Sequence, residues 1–301
     1  MSKPVEVSEH VETSAQLESY LKLGYLAVPD LLTREEIGEI ERDIHKICTG
    51  GYTCEGLMPL PASLSAEEIK HRVLGIHEAH LISPVIRKYV SHPAIVGILS
   101  KIVGGHLRGW DGAVKCVQSM YYAKPPGMAG HPWHQDEAYF PTRDRSLTAV
   151  YIAIDEISAD NGCLWFIPGS HRNGYLFPRR PHNQSGEYLF EMESGSFPTQ
   201  DMVPMEMRPG TVAFFNGYTL HRSTRNRSDT FRRVLVNHYC NSWSTLPRYV
   251  PPDTDRERMG EEIGMADDRK VWNVSGTDPY VWKGYDHSES HVYIMRMGAD
   301  R

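Results

Sequence analysis

The sequence predicts a mainly β fold, a sandwich or barrel, with helices flanking it. Three observations carry this. From about residue 112 the hydrophobic period changes from helical to two. The runs that follow, "VKCVQSMYYA", "SLTAVYIAIDEI", "CLWFIPGSH", "GTVAFFNG" and "RRVLVNHYC", are short and rich in β-branched or aromatic residues. Turn chemistry, and no helical pattern, separates them, which argues against alternating strand–helix units in a parallel sheet.

Taken in chain order, residues 14 to about 105 read as largely helical. Thr33 and Glu36 form a capping-box signal, and Ile37, Ile40, Ile44 and Ile47 follow at helical spacing. Ser65 and Glu68 repeat the box. Pro93 suits the first turn of a helix filled by "AIVGILSKIV" and stopped by Gly104-Gly105. Within the β region, Asp160-Asn161-Gly162 is a tight-turn signal, since Asn and Gly tolerate positive φ. Asn173 to Pro204, rich in proline and glycine, reads as a long loop of the kind that serves as a lid. The segment from 246 to 301 reads as irregular or helical covering. The expectation is one domain over 1–301, with a helical part at about 14–105, a β-core at about 112–245 and this covering segment.

Composition narrows the function. Of 301 residues, 40% are apolar and 23% charged, as in ordinary globular chains. The net charge of −6 argues against a nucleic-acid or anionic-membrane surface. The arginines that do cluster, at 222, 225, 227, 232 and 233, are interrupted by Asp229. Five scattered cysteines without a CxxC pair suggest neither a disulfide framework nor a thiolate zinc site. "MSKPVEVSEH" lacks an apolar signal core and no run approaches a membrane span, so a cytoplasmic protein without a membrane partner is expected. Oligomeric state is left open.

Chemistry concentrates in "HPWHQDEAYF", residues 131–140. In an extended segment residues i and i+2 share a face, so His134 and Asp136 can aim at one ion. His221, in a polar turn after the "TVAFF" run, offers a third ligand. Two imidazoles and one carboxylate leave open positions that suit non-haem Fe(II) with a bidentate co-substrate and O₂. A lone H-x-D is weak evidence, because 15 histidines and 38 acidic residues produce such pairs by chance. By alternation, His131 should face away from the ion, and either support a ligand from behind or serve packing. His171 should hold a loop by hydrogen bonding. Of Trp165 and Phe166, one should be core.

With "YYAKPPG", "HPWHQD", "ISADNGCLWFIPGSHR" and "MRPGTVAFFNGYTLHRSTRNRSDTFRR" in this order, the chain resembles the phytanoyl-CoA dioxygenase family of Fe(II)/2-oxoglutarate oxygenases over roughly residues 15–245. The resemblance implies a double-stranded β-helix, the jelly-roll of cupin-like proteins, behind an N-terminal helical layer. It implies His134, Asp136 and His221 as catalytic metal ligands, and Arg232 as the anchor of the distal carboxylate of 2-oxoglutarate, assisted by Ser223. A guanidinium fork matches a carboxylate bidentately. Arg233, by alternation, should point to the opposite face. Gln135, Met120 and Tyr151 match further co-substrate positions, with packing an equally good account of each; Tyr151 stands where some members carry tryptophan. The implied reaction hydroxylates a small-molecule substrate with release of succinate and CO₂, with ascorbate as an auxiliary reductant. Asp136 leaves no vacancy for the chloride that related halogenases bind. For the substrate, Arg172, Arg179 and Arg180 would suit a coenzyme A thioester. The aromatics Trp133, Tyr139, Phe140, Trp272, Trp282 and Tyr285 would suit a small ring-bearing metabolite, which is the favoured class. The rivals are a silent cupin-like metal-binding protein and a hydrolase using another divalent metal.

Overall fold

The computed structural model describes residues 14–54, 57–184, 186–245, 271–283 and 292–297. The helical layer comprises α1 (Ser14–Leu23), α2 (Arg34–Cys48), α3 (Ala66–Lys70), α4 (Pro84–Val90) and α5 (Pro93–Ile102). Both capping boxes form: Thr33 and Ser65 each accept from the backbone N–H three residues on, and Glu36 and Glu68 reach back. Pro93 sits in the first turn of α5. In α2, Ile37, Ile40, Ile44 and Ile47 are buried, as their spacing requires.

The helical part is not purely helical. It contains β1 (Tyr25–Val28) and β2 (Val73–His77), both of which join the main sheet. Two four- to five-residue runs are too short for periodicity to separate strand from helix. The remaining strands are β3 (Val114–Lys124), β4 (Thr148–Ala153), β5 (Leu164–Phe166), β6 (Arg179–Pro181), β7 (Met192–Ser194), β8 (Val203–Met205), β9 (Val212–Asn216), β10 (His221–Ser223), β11 (Arg232–Asn241), β12 (Trp272–Ser275) and β13 (Tyr293–Arg296). The described part of the C-terminal covering is therefore mostly strand: β12 pairs with β3 and β13 with β2. Tyr285 lies outside the described residues.

The main sheet runs β1-β9-β4-β11-β3-β2-β13, and a smaller sheet runs β10-β5-β8. Their mutual pairings are antiparallel, and their inner faces meet as a jelly-roll sandwich. Alternation sorts each strand. In β4, Val150 and Ile152 face the helices, together with Leu235, Tyr239, Ile40, Ile95 and Leu99. Ala149, Tyr151 and Ala153 face the smaller sheet, where they meet Leu164 and Phe166. Gly162 of the Asp-Asn-Gly turn has φ +84°, as the turn signal requires. The turn joins strands of different sheets, so it is a corner and not a hairpin.

The stretch expected as a loop at 173–204 carries structure of its own. β6 and β7 form a two-stranded hairpin that packs on the H-x-D segment, with Ser194 N donating to Trp133 O at 2.7 Å.

Candidate metal and co-substrate centre

The H-x-D segment pairs with β10. His134 N donates to His221 O (2.9 Å) and His221 N to His134 O (3.1 Å). This isolated antiparallel bridge puts both imidazoles on one side, ring centres 4.0 Å apart. Asp136 opens a short 3₁₀ turn and brings Oδ1 to 3.5 Å from His134 Nε2 and 3.6 Å from His221 Nε2. Donor atoms of the three residues all lie within 4.8 Å of one another, and this is the one such cluster among the described residues.

Hydrogen bonds tune each donor for an ion. His134 Nδ1 lies 2.8 Å from Pro132 O and His221 Nδ1 lies 2.9 Å from Thr219 O. A carbonyl partner places the proton on Nδ1 and leaves the Nε2 lone pair facing the centre. Burial holds His134 well below the ordinary imidazole range, with the neighbouring His131 and His221 adding to the effect, so it is neutral as a ligand must be. Burial alone would raise Asp136. Charge on His221 and the hydrogen bond from His238 outweigh it and hold the carboxyl well below its usual range. The donor set is therefore two imidazoles and one carboxylate on a single face, which fits a divalent first-row metal with open positions.

His238 shapes this carboxylate, and the sequence reading did not single it out. Its Nε2 is 3.2 Å from Asp136 Oδ2, leaving Oδ1 to face the two imidazoles. Phe140 stacks on its ring at 5.0 Å. A bulge after His238 breaks the β11 register at this point. The available signal was its phase in "RRVLVNHYC": His238 shares the inward parity of Arg232, Val234 and Val236. His238→Leu is expected to weaken Co(II) or Fe(II) binding by about 10- to 100-fold, the usual cost of removing a group that orients a metal ligand. His238→Gln should retain most of the affinity. Metal titration followed by absorbance checks both.

Two residues along β10 from His221, Ser223 opens onto a basic socket. Arg232, at the start of β11, is 2% exposed, and its Nη1 donates to the Tyr151 hydroxyl. Its Cζ lies 5.8 Å from the rings of both Tyr122 and Tyr151. Its Nε is buried without a partner, and it forms no ion pair among the described residues. Directly opposite in register stands Lys124, 1% exposed, which the sequence reading also passed over. Lys124 Nζ donates to Ser223 Oγ (2.9 Å) and Thr224 O (2.6 Å). Burial, and then the nearby Arg232 charge, hold its amine well below the ordinary lysine range. The overlooked signal was a charge at the inward phase of "MYYAK". Ser223 Oγ also accepts from His131 N at 3.0 Å. A hydroxyl that already accepts twice keeps its own proton to donate. A buried guanidinium beside an amine whose charge burial suppresses, with no carboxylate paired to either among the described residues, favours an anion that restores that charge, so the socket fits the distal carboxylate of 2-oxoglutarate. Arg233 points the other way, to Asp155 (2.6 Å) and Glu41 (2.7 Å), as alternation predicts.

The remaining sequence-derived residues divide. Met120 lies half-buried on the inner face of β3, opposite Val236 and His77. Gln135 does not reach the socket. Its Nε2 donates to Tyr175 O (2.9 Å) and Tyr218 O (2.8 Å), and its Oε1 accepts from Phe177 N (2.9 Å). Those bonds fasten it to the 175–177 segment and to Tyr218, so it does not line the co-substrate socket. His131 does not face away: its ring stacks on His134 at 3.8 Å and 8°, because residues 131–135 form no continuous strand. His171 holds a loop, through Leu21 O at 3.1 Å. Phe166 is the core residue of its pair and lies against His221. Trp133 turns its ring away from the metal donors, under Arg222, so it forms no wall of their pocket. The three arginines do not make one groove, since Arg172 bonds Lys22 O, Arg179 lies over Tyr139 and Arg180 pairs with Glu193.

A family model described as phytanoyl-CoA dioxygenase matches residues 20–234. A Caenorhabditis elegans protein named probable phytanoyl-CoA dioxygenase is 27% identical over 263 residues, covering 83% of this chain and 82% of that one. Phytanoyl-CoA dioxygenase 1 of Oryza sativa subsp. japonica is 32% identical over 62% of this chain and 66% of its own length, so the match spans just under two thirds of it. Among solved structures, the epimerase SnoN in complex with Fe³⁺, α-ketoglutarate and nogalamycin RO superposes with a TM-score of 0.59 at 17% identity, covering 88% of this chain and 96% of that one, a likeness of fold. With a family match over more than two thirds of its length, laid across the strands that carry the centre just described, this chain belongs to the phytanoyl-CoA dioxygenase family of Fe(II)/2-oxoglutarate-dependent oxygenases.

Proposed function

We propose that this protein uses Fe(II), O₂ and 2-oxoglutarate to hydroxylate a small-molecule metabolite, releasing succinate and CO₂. The observation that carries the reading is the pairing of two features on one inner face. A His, His, carboxylate donor set stands beside a buried Arg232–Lys124 socket that has no anion of its own among the described residues. A silent metal-binding protein or a hydrolase has no use for such a socket.

In this reading His134, Asp136 and His221 hold the iron, while Arg232, Lys124, Ser223 and Tyr151 grip the far carboxylate of 2-oxoglutarate. Once bound, the metal and its co-substrate supply oxidative decarboxylation and an oxidant for a C–H bond. The protein's part is positional. The His134–His221 bridge fixes the donors, His238 aims the carboxylate, and Tyr122 and Tyr151 wall the socket against water. The substrate side is the inner face of β3, where Gln118, Met120 and Tyr122 are only half-buried. The 173–204 segment, packed against His131 through Phe190, is the gate. We favour a non-thioester substrate because the arginines that would bind coenzyme A phosphates are dispersed. No helix among the described residues is long and apolar enough to cross a membrane. The cysteines carry thiols and not disulfides, which suits the reducing cytoplasm.

The test is turnover of 2-oxoglutarate to succinate with Fe(II) and ascorbate across a panel of ring-bearing metabolites and acyl-CoA thioesters. Stimulation above the substrate-free rate by a metabolite is expected. A folded, metal-loaded protein that yields no succinate with any member would overturn the reading. Stimulation by thioesters alone would move the substrate to that class.

A further inference from the structure

Behind the two metal-donor histidines, on the opposite face of the bridge that carries them, lies a second cationic cavity. It has a volume of about 190 Å³, and Arg222, Arg180, Trp133, Phe197, Ser194 and Ser196 line it. It lies between the outer face of β10 and the β6–β7 hairpin, so it is separate from the centre described above. His221 and Ser223 point inward. Arg222, between them, points out.

Arg222 is the anomaly. Nη1 donates to Tyr188 Oη at 2.9 Å, Nη2 lies 3.4 Å from Met202 Sδ, and Cζ stands 4.9 Å from the Trp133 ring. Its Nε is buried without a partner, and it forms no ion pair among the described residues. A second guanidinium, Arg180, reaches the cavity from the hairpin. It meets Glu193 at a loose 3.4 Å while 58% of its side chain stays exposed. The cavity thus holds two positive charges against one carboxylate, and serine side chains and Gln184 share its lining. A desolvated guanidinium with a free N–H and no counter-charge is suited to an oxyanion, which can take the fork bidentately.

The geometry points to an oxyanion site: a sulfate, phosphate or carboxylate group held between Arg222 and Arg180, with Trp133 beneath. The cavity is below the size of ordinary cofactor pockets, so it takes the charged group and not a whole nucleotide. Its occupant bridges the hairpin to Trp133 and Arg222, each adjacent in sequence to a metal-donor histidine, and so fastens the gate segment to the metal-bearing one. The inference stands apart from the proposed reaction, because it needs only binding.

Inorganic sulfate is the probe, titrated calorimetrically at constant ionic strength into protein already loaded with Co(II) and 2-oxoglutarate, so that the inner socket is filled. One saturable site is expected, weakened at least tenfold by Arg222→Gln. Should that variant fail to fold, Ser196→Asp serves instead. Ser196 is exposed at positive φ, which aspartate tolerates, and the new carboxylate should repel the anion by a similar factor. Coenzyme A is the second arm. Competition with sulfate assigns the site to an anionic group carried by a larger ligand, and sulfate binding without competition assigns it to a free anion. No saturable sulfate binding, or equal binding by wild type and both variants, overturns the proposal.

Discussion

Asp136→Ala is expected to reduce succinate formation from 2-oxoglutarate below detection while leaving the protein folded. Asp136 supplies the one anionic donor of the cluster, with Oδ1 within 3.6 Å of both imidazole Nε2 atoms. Removing a group that only orients a metal ligand costs about 10- to 100-fold in metal affinity, so removing the ligand itself should cost more than about 100-fold. The change also leaves His238 without its carboxylate partner. Metal affinity and turnover should fall together in the variant, with an unchanged circular-dichroism spectrum. Wild-type metal affinity in Asp136→Ala would mean that the ion is held elsewhere.

Arg232→Ala should weaken 2-oxoglutarate binding by about 2–5 kcal/mol, the cost of removing one partner of a buried charge pair. That is about 30-fold to several thousandfold in affinity. Lys124→Met tests the second cation and adds a signature in protons. In the free protein, burial and Arg232 hold the Lys124 amine well below its ordinary range. A bound dianion favours the charged amine and lifts that value back. Between the lowered and the lifted value, 2-oxoglutarate binding therefore takes up a proton, and affinity falls as pH rises through this window. Calorimetry in two buffers of different ionisation enthalpy reads the uptake, which Lys124→Met should abolish. Unchanged 2-oxoglutarate affinity in Arg232→Ala would remove the socket from the mechanism.

How much of this was legible in the chain depends on whether the signal is local. Capping boxes at Thr33 and Ser65, the isoleucine spacing of α2 and the turn glycine Gly162 each act within a few residues, and all appear where the pattern placed them. Alternation correctly separated Arg232 from Arg233, since β11 is a continuous strand. The same rule misplaced His131, because the 131–135 segment bends before its parity can propagate. Strands β1, β2, β12 and β13 escaped for a related reason. Each is only four or five residues long and owes its conformation to a partner strand distant in sequence.

By itself the sequence marked the helical layer, the β-core, the H-x-D pair with a distal histidine as candidate donors and, through the family resemblance, Arg232. These rest on short-range stereochemistry and on ordered motifs. Only the tertiary structure decided that Lys124 faces Arg232 across two strands, that His238 takes one oxygen of Asp136, and that Arg222 stands behind the centre with no ion pair among the described residues. Those relations join residues up to about a hundred positions apart. Sheet register and burial create them: a polar atom's partners, and the cost of having none, exist only once the sandwich closes and water is gone.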